Sequence, residues 1–109
     1  RFMENVDLNR AKEFPQKTYT KCIDYHIIKY SLWARSRQEG EYFTVDETGS
    51  RQKLKSFFIN EEIPQEDRKK MLLIADGKHI VWIPGRRMSR SYHISSTTKR
   101  ILEINITEE

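Results

Sequence analysis

The stretch Leu72-Leu73-Ile74-Ala75-Asp76-Gly77-Lys78-His79-Ile80-Val81-Trp82-Ile83-Pro84-Gly85 decides the fold. Two apolar runs, Leu72–Ala75 and His79–Ile83, flank Asp76-Gly77, a dipeptide suited to a tight hairpin turn. An antiparallel hairpin is therefore predicted, and Pro84-Gly85 stops its second strand. Working upstream, Leu54, Phe57 and Phe58 fall at i, i+3 and i+4, the spacing of a short amphipathic helix beginning near Lys53. Pro64 suits the first position of a second short helix. Its charge order, Glu66 and Asp67 first and Arg68, Lys69 and Lys70 last, complements the helix dipole.

Further out, Ile23, Tyr25 and Ile27 alternate with polar residues from Tyr19 onward, as a strand does. Tyr30, Leu32 and Ala34 continue the alternation, with Trp33, Arg35 and Arg37 on the other face, until Gly40. Thr44–Ser50 reads as a polar loop turning at Gly49-Ser50. Ser95–Thr98 offers N-cap residues for a helical turn. Leu102, Ile104 and Ile106 alternate with Glu103, Asn105 and Thr107 as a last, half-buried strand. Residues 1–18 read as a connecting segment with a short helix over Val6–Phe14, leading into a domain at 19–109. The expected class is α+β: a small layered domain of mostly antiparallel strands with short helices.

The 109 residues suffice for one small core, and 37% hydrophobic content in clusters argues against disorder despite 33% charged residues. No apolar run approaches the roughly 18 residues of a membrane span, and no signal-peptide pattern is present. The single Cys22 allows no internal disulfide and points to a reducing, cytoplasmic setting. The first residue is Arg1 rather than Met, so a piece of a longer protein is expected. The net charge of +4 is unevenly spread. Residues 1–50 balance 8 basic against 8 acidic side chains, residues 51–100 carry 12 against 5, and residues 101–109 carry three acids and no base. A basic half of this kind suits a polyanionic partner, although a solvated face with no partner produces the same pattern.

Several chemistries lack their residues. The glycines at 40, 49, 77 and 85 form neither G-x-G-x-x-G nor G-x-x-x-x-G-K, so no nucleotide-cradling loop is recognisable. His26, His79 and His93 lack the close spacing of zinc ligands and read as strand or surface residues. Cys22 has no identifiable base and reads as a small buried hydrophobe. The pairs Glu61/Glu62 and Glu66/Asp67 fit helix capping better than acid–base catalysis. No catalytic residue and no metal site is assigned. Phe57, Phe58, Trp82 and Tyr92 could stack on bases, but their spacing matches core positions.

Basic side chains are the remaining signal. Arg51, Lys53 and Lys55 open the first helix, where cations oppose the dipole and so need another reason to be there. Arg86, Arg87 and Arg90 follow the Pro84-Gly85 stop, on a loop where guanidinium groups can fork onto phosphates. Arg35 and Arg37 share a strand face with Trp33, and Lys99 and Arg100 lie by the Ser/Thr turn. These ten are the candidate nucleic-acid contacts. For any one of them ordinary solvation is a sufficient explanation; together they suggest a basic surface.

The run Lys53-Leu54-Lys55-Ser56-Phe57-Phe58-Ile59, followed by Ile63-Pro64 and Arg68, resembles the signature of the C-terminal domain of the tRNA(Ile)-lysidine synthetase family. The likeness continues through Asp76-Gly77, Ile80–Gly85 with Arg86–Ser89, and Ser95–Leu102. Upstream it includes Ile23-Asp24-Tyr25 and Arg35–Glu41, and it covers about residues 19–106. Two departures stand out: Glu39 and Glu41 replace the family's usual Pro and Asp around Gly40, and Thr44–Thr48 lacks the family loop's Pro and Gly. The resemblance implies a fold shared with a domain of the phenylalanyl-tRNA synthetase β subunit. It implies a parent ligase that adenylates the wobble cytidine of an isoleucine tRNA with ATP and Mg2+, then displaces AMP with lysine. Catalysis would lie in a separate domain with an S-G-G-x-D-S loop, while this domain, with no cofactor of its own, would grip the tRNA acceptor stem. The alternatives are a protein-interaction domain that braces the catalytic domain without touching tRNA, and a free-standing enzyme.

Overall fold

The hairpin forms, with its turn one residue later than expected. In a computed structural model describing residues 2–9 and 17–108, Leu73–Asp76 and His79–Ile83 pair antiparallel with Asp76 opposite His79. The two-residue loop is therefore Gly77-Lys78 rather than Asp76-Gly77. Gly77 takes the positive φ of 64°, and glycine in the first loop position is the requirement of a type II′ turn. Asp76 stays in the strand because its buried carboxylate has other work: it accepts the backbone N–H groups of Lys29 and Tyr30, each at 2.8 Å.

The chain divides into two units. In chain order, the strands are β1 (Phe2–Asn9), β2 (Lys17–Asp24), β3 (Leu32–Arg35), β4 (Tyr42–Thr44), β5 (Arg51–Lys53), β6 (Leu73–Asp76), β7 (His79–Ile83), β8 (Arg87–Met88) and β9 (Arg100–Glu108). The helices are α1 (Leu54–Asn60) and α2 (Gln65–Lys70).

The unit of residues 28–91 holds a sheet ordered β3-β6-β7-β4-β5, with β8 pairing β7 beyond β4. Its core joins Phe43, Leu54, Phe57, Phe58, Ile63, Leu73, Ala75, Ile80 and Ile83. Phe57 and Phe58 are thus core residues, as the helical spacing predicts, and Trp82 and Tyr92 are buried too.

The other unit, residues 1–27 and 92–109, is a three-stranded sheet ordered β1-β9-β2. The predicted last strand lies at its centre, parallel to β1 and antiparallel to β2, with Leu102, Ile104 and Ile106 buried. Three expectations change here. The helix proposed over Val6–Phe14 is replaced through Asn9 by strand β1, and its remaining residues fall outside those described. The alternation through Tyr25 and Ile27 ends early, because the chain enters a 3-10 turn at Tyr25–Ile27. Ser95–Thr98 closes a single turn rather than starting a helix: Thr98 N–H donates to the Ser95 carbonyl, while the Thr98 hydroxyl donates to Asp24. Cys22 is only half-buried; burial and then Glu103, its cross-strand neighbour, push its thiol pKa up.

α1 ends in a Schellman motif. Ile63 N–H donates to Phe58 O, and Glu62 N–H to Ile59 O. This closure puts Glu62 at φ 54°, a left-handed position that glycine fills most easily. Ile63 and Phe58 then meet in the core, as the motif's apolar contact requires. Relief of left-handed strain is worth roughly 1–2 kcal/mol, and the added freedom of an unfolded glycine offsets about half of it. Glu62→Gly should therefore stabilise the chain by about 0.5–1 kcal/mol, read as a higher urea midpoint at unchanged slope. A lower midpoint would contradict the cap.

Candidate nucleic-acid interface

Eight of the ten candidate cations belong to the 28–91 unit, and Lys99 and Arg100 to the other. By sequence, residues 28–91 carry 13 Lys/Arg against 9 Asp/Glu, while the remaining residues balance seven against seven. One unit therefore accounts for the whole net charge.

Within that unit the cations sit in three surroundings. Arg51 and Lys53 lie at alternate positions of β5 and are exposed, so both project from one face of the strand. Arg51 stands over the Tyr42 ring at 4.2 Å, a cation–π contact that holds its guanidinium at the surface. Lys55 is exposed one residue into α1. Arg86 and Arg87 are exposed at the turn into β8. Both groups lie on the same side of β7, away from β6.

A second set closes the aromatic core. Arg87 lies 5.8 and 5.9 Å from the rings of Phe43 and Phe57. Arg37 and Arg68 lie 5.4 and 5.6 Å from the ring of Phe58. Dipole complementation alone does not explain Arg68: its Nε–H also donates to the Ile63 carbonyl at 2.6 Å, tying α2 to the α1 cap. Its place four residues after Pro64, within the family-like motif, was the available signal.

The third set is matched to acids. Arg35 pairs with the buried Glu41 and donates to the Gly77 carbonyl at 2.7 Å, so its charge is compensated inside the fold. Arg90 pairs with Glu47 on the surface. In the other unit, Arg100 packs over Tyr25 at 4.1 Å, and Lys99 is exposed.

At Glu41 and in the Thr44–Thr48 loop, two of the departures from the family pattern, local hydrogen bonds hold the chain. Glu41 accepts the Gln38 N–H at 2.6 Å in addition to its ion pair, and so organises this turn. In the Thr44–Thr48 loop Asp46 replaces the missing Pro and Gly as the stiffener, accepting the N–H groups of Thr48 and Ser50, each at 3.0 Å. These hydrogen bonds to the charged form hold its pKa down at about 2.

Sequence reading missed one polar cluster beside Arg51. His79 Nε2 lies 2.6 Å from Ser89 Oγ and 3.4 Å from Thr44 Oγ1, and its ring packs on Tyr42 at 4.8 Å. Ser89 Oγ also accepts the Thr44 N–H. A His–Ser contact could suggest a nucleophile and its base, but Ser89 is 1% exposed and out of reach of a substrate. The cluster locks β4, β7 and the chain after β8 together. Burial, then Arg51, push the His79 pKa down to about 4, so at neutral pH it adds no charge to the basic face. No group of three His, Cys, Asp or Glu that could hold a metal occurs among the described residues, and none of their helices is long and apolar enough to cross a membrane.

A model of the TilS substrate C-terminal domain matches residues 32–105. A tRNA(Ile)-lysidine synthase of Caldanaerobacter subterraneus subsp. tengcongensis is 38% identical over 104 residues, which are 95% of this chain and 22% of that protein. One of Clostridium acetobutylicum is 44% identical over 75 residues, 69% of this chain and 16% of that protein. The chain thus spans about a fifth of the length of such relatives. A solved structure of a TILS C-terminal domain has the same fold: TM-score 0.64 at 24% identity, over 91% of this chain and 76% of that one.

The depressed His79 pKa has a consequence for stability. Unfolded, the ring takes up a proton near its ordinary 6.5; folded, it does so only near 4. The unfolded chain therefore binds more protons between these values, and stability falls as pH drops through that window. His79→Gln should flatten this limb in urea midpoints measured from pH 7 to 4, whereas an equally steep limb would remove His79 as its source.

Proposed function

Because the chain belongs to the TilS substrate C-terminal domain family, we propose that it is the tRNA-gripping domain of a tRNA(Ile)-lysidine synthetase, holding the acceptor stem of isoleucine tRNA. The observation that carries the proposal is the set of exposed cations on the β4–β5–β8 side of β7: Arg51, Lys53, Lys55, Arg86 and Arg87. They belong to the unit that holds all the net charge. Phosphates are the partner such a set suits, because each contact releases condensed counterions. Arg35 supports the surface from within rather than contacting RNA, and Arg37 and Arg87 combine a lid over the core with an outward charge. Lys99 and Arg100 are further contacts of the other unit.

The parent enzyme, in this reading, is a cytoplasmic ligase that uses ATP and Mg2+ in a separate catalytic domain. The described residues are not arranged for either group. The four glycines occupy separate positive-φ positions rather than one phosphate-cradling loop, and the described residues gather no metal-ligand cluster. The contribution of this chain is to bind and orient tRNA.

The test is tRNA affinity as a function of salt. Replacing Lys53, Arg86 and Arg87 together by Gln should weaken binding about tenfold or more and lower the log–log salt slope by roughly two to three, about one per lost phosphate contact. Unchanged affinity and slope would refute this surface. Intact docking onto the catalytic domain without any tRNA binding would instead favour a bracing role.

A further inference from the structure

We infer that a groove between β3 and the β6–β7 turn seats one unpaired nucleotide of a bound RNA, its base stacked on Trp33 and Tyr30 and its phosphate beside Lys78. The inference rests on the tRNA-binding reading and adds a second contact to it.

Trp33 is 62% exposed and Tyr30 is 78% exposed, unusual for rings of this size within one small patch. They line a groove of about 450 Å³ with Arg35, Gln38 and Lys78, large enough for a small organic ligand. The fold holds this groove open. Buried Asp76 accepts the N–H groups of Lys29 and Tyr30. Tyr30 lies against the Gly77 turn so closely that a Cβ there would come within 2.9 Å of its ring. Trp33 Nε1–H donates to Ser31 Oγ at 3.1 Å. Arg35 bonds the Gly77 carbonyl, and Lys78 Nζ donates to the Glu39 carbonyl at 2.7 Å. Contacts on three sides therefore present two aromatic faces to solvent instead of burying them.

The chemistry of the rim selects the occupant. An apolar protein segment would find the Lys78 ammonium and the Gln38 amide around its binding surface. A nucleotide uses all three kinds of feature: ring faces for the base, the amide for its edge, and the Lys78 charge, which among the described residues donates to a neutral carbonyl, for the phosphate. Inside a paired stem both faces of each base are covered by stacking, so the nucleotide the groove seats comes from a single-stranded end or bulge. The aromatic side of the groove lies on β3, at the opposite end of the five-strand path from β5 and about 19 Å away at roughly 4.8 Å per strand, while Lys78 on the β6–β7 turn lies nearer β4, its carbonyl accepting the Tyr42 N–H. Groove and phosphate-binding edge can therefore be occupied by different parts of one RNA.

Trp33 is its own probe, since Trp82 is only 1% exposed. A six-nucleotide single-stranded RNA should quench Trp33 fluorescence saturably, while a blunt RNA duplex should not. Trp33→Ala should weaken hexamer binding about tenfold, within the range for one stacked base, and leave duplex affinity and its salt slope unchanged. Tyr30→Ala, followed by anisotropy of a labelled hexamer, should give a loss in the same direction. Absence of quenching, or hexamer binding unaffected by both substitutions, overturns the groove while salt-dependent duplex binding keeps the phosphate surface standing. Retained quenching in the Lys53/Arg86/Arg87 variant supports a separate site. Trp33 emission already shielded from acrylamide in the full-length parent, before RNA is added, also overturns it, because a protein segment then fills the groove.

Discussion

The three phenylalanines of the larger unit set the terms for everything charged around them. Phe43 and Phe57 meet edge to face at 5.6 Å, and Phe57 and Phe58 are 6.1 Å apart. This packing fixes α1 on the sheet. It also leaves ring faces that Arg37, Arg68 and Arg87 close with guanidinium groups. Aliphatic lids would exclude water as well, but arginines do so while keeping their charge at the surface. The basic character of the unit is thus partly a by-product of how its small core is sealed.

The elements most legible in the sequence were those whose pattern is local. The β6–β7 hairpin and α1 announce themselves by apolar runs around a Gly turn and by i, i+3, i+4 spacing, and both appear where expected. The turn slipped by one residue because Asp76 is claimed by amides 46 and 47 positions away, which no local rule reveals. β1 was obscured for a similar reason. Val6 and Leu8 recur with the strand period, but two positions form too short a pattern, and the partner that makes them a strand is β9, almost a chain length distant. Ser95–Thr98 has the composition of a helix cap, yet Asp24 draws the Thr98 hydroxyl and a single turn results.

The candidate site was legible as a composition and only partly as a geometry. Arg51, Lys53, Arg86 and Arg87 are exposed, as a basic surface requires. Arg35 looked identical on paper, but its ion pair with buried Glu41 depends on the Gly40 turn folding back onto β3. Arg68 suits the helix dipole by its place in α2 and also bonds the end of α1. Trp33 is ambiguous in sequence: a large ring on an arginine-bearing strand face is either core or platform, and only its exposure decides between them.

Fixing these cations in advance bears on affinity as well as on stability. A long side chain immobilised at an interface loses roughly 0.5–1.5 kcal/mol of conformational freedom. Arg51 on Tyr42 and Arg87 on Phe43 and Phe57 are already held by ring contacts in the unbound chain, so part of that loss precedes binding. Lys53 and Lys55, exposed on flexible stems, have no such advantage and act mainly as point charges. If the proposed tRNA contact holds, ring-supported arginines would define where a phosphate backbone lies, while the lysines around them would raise the local potential. The division follows directly from which residues sit beside an aromatic ring and which do not.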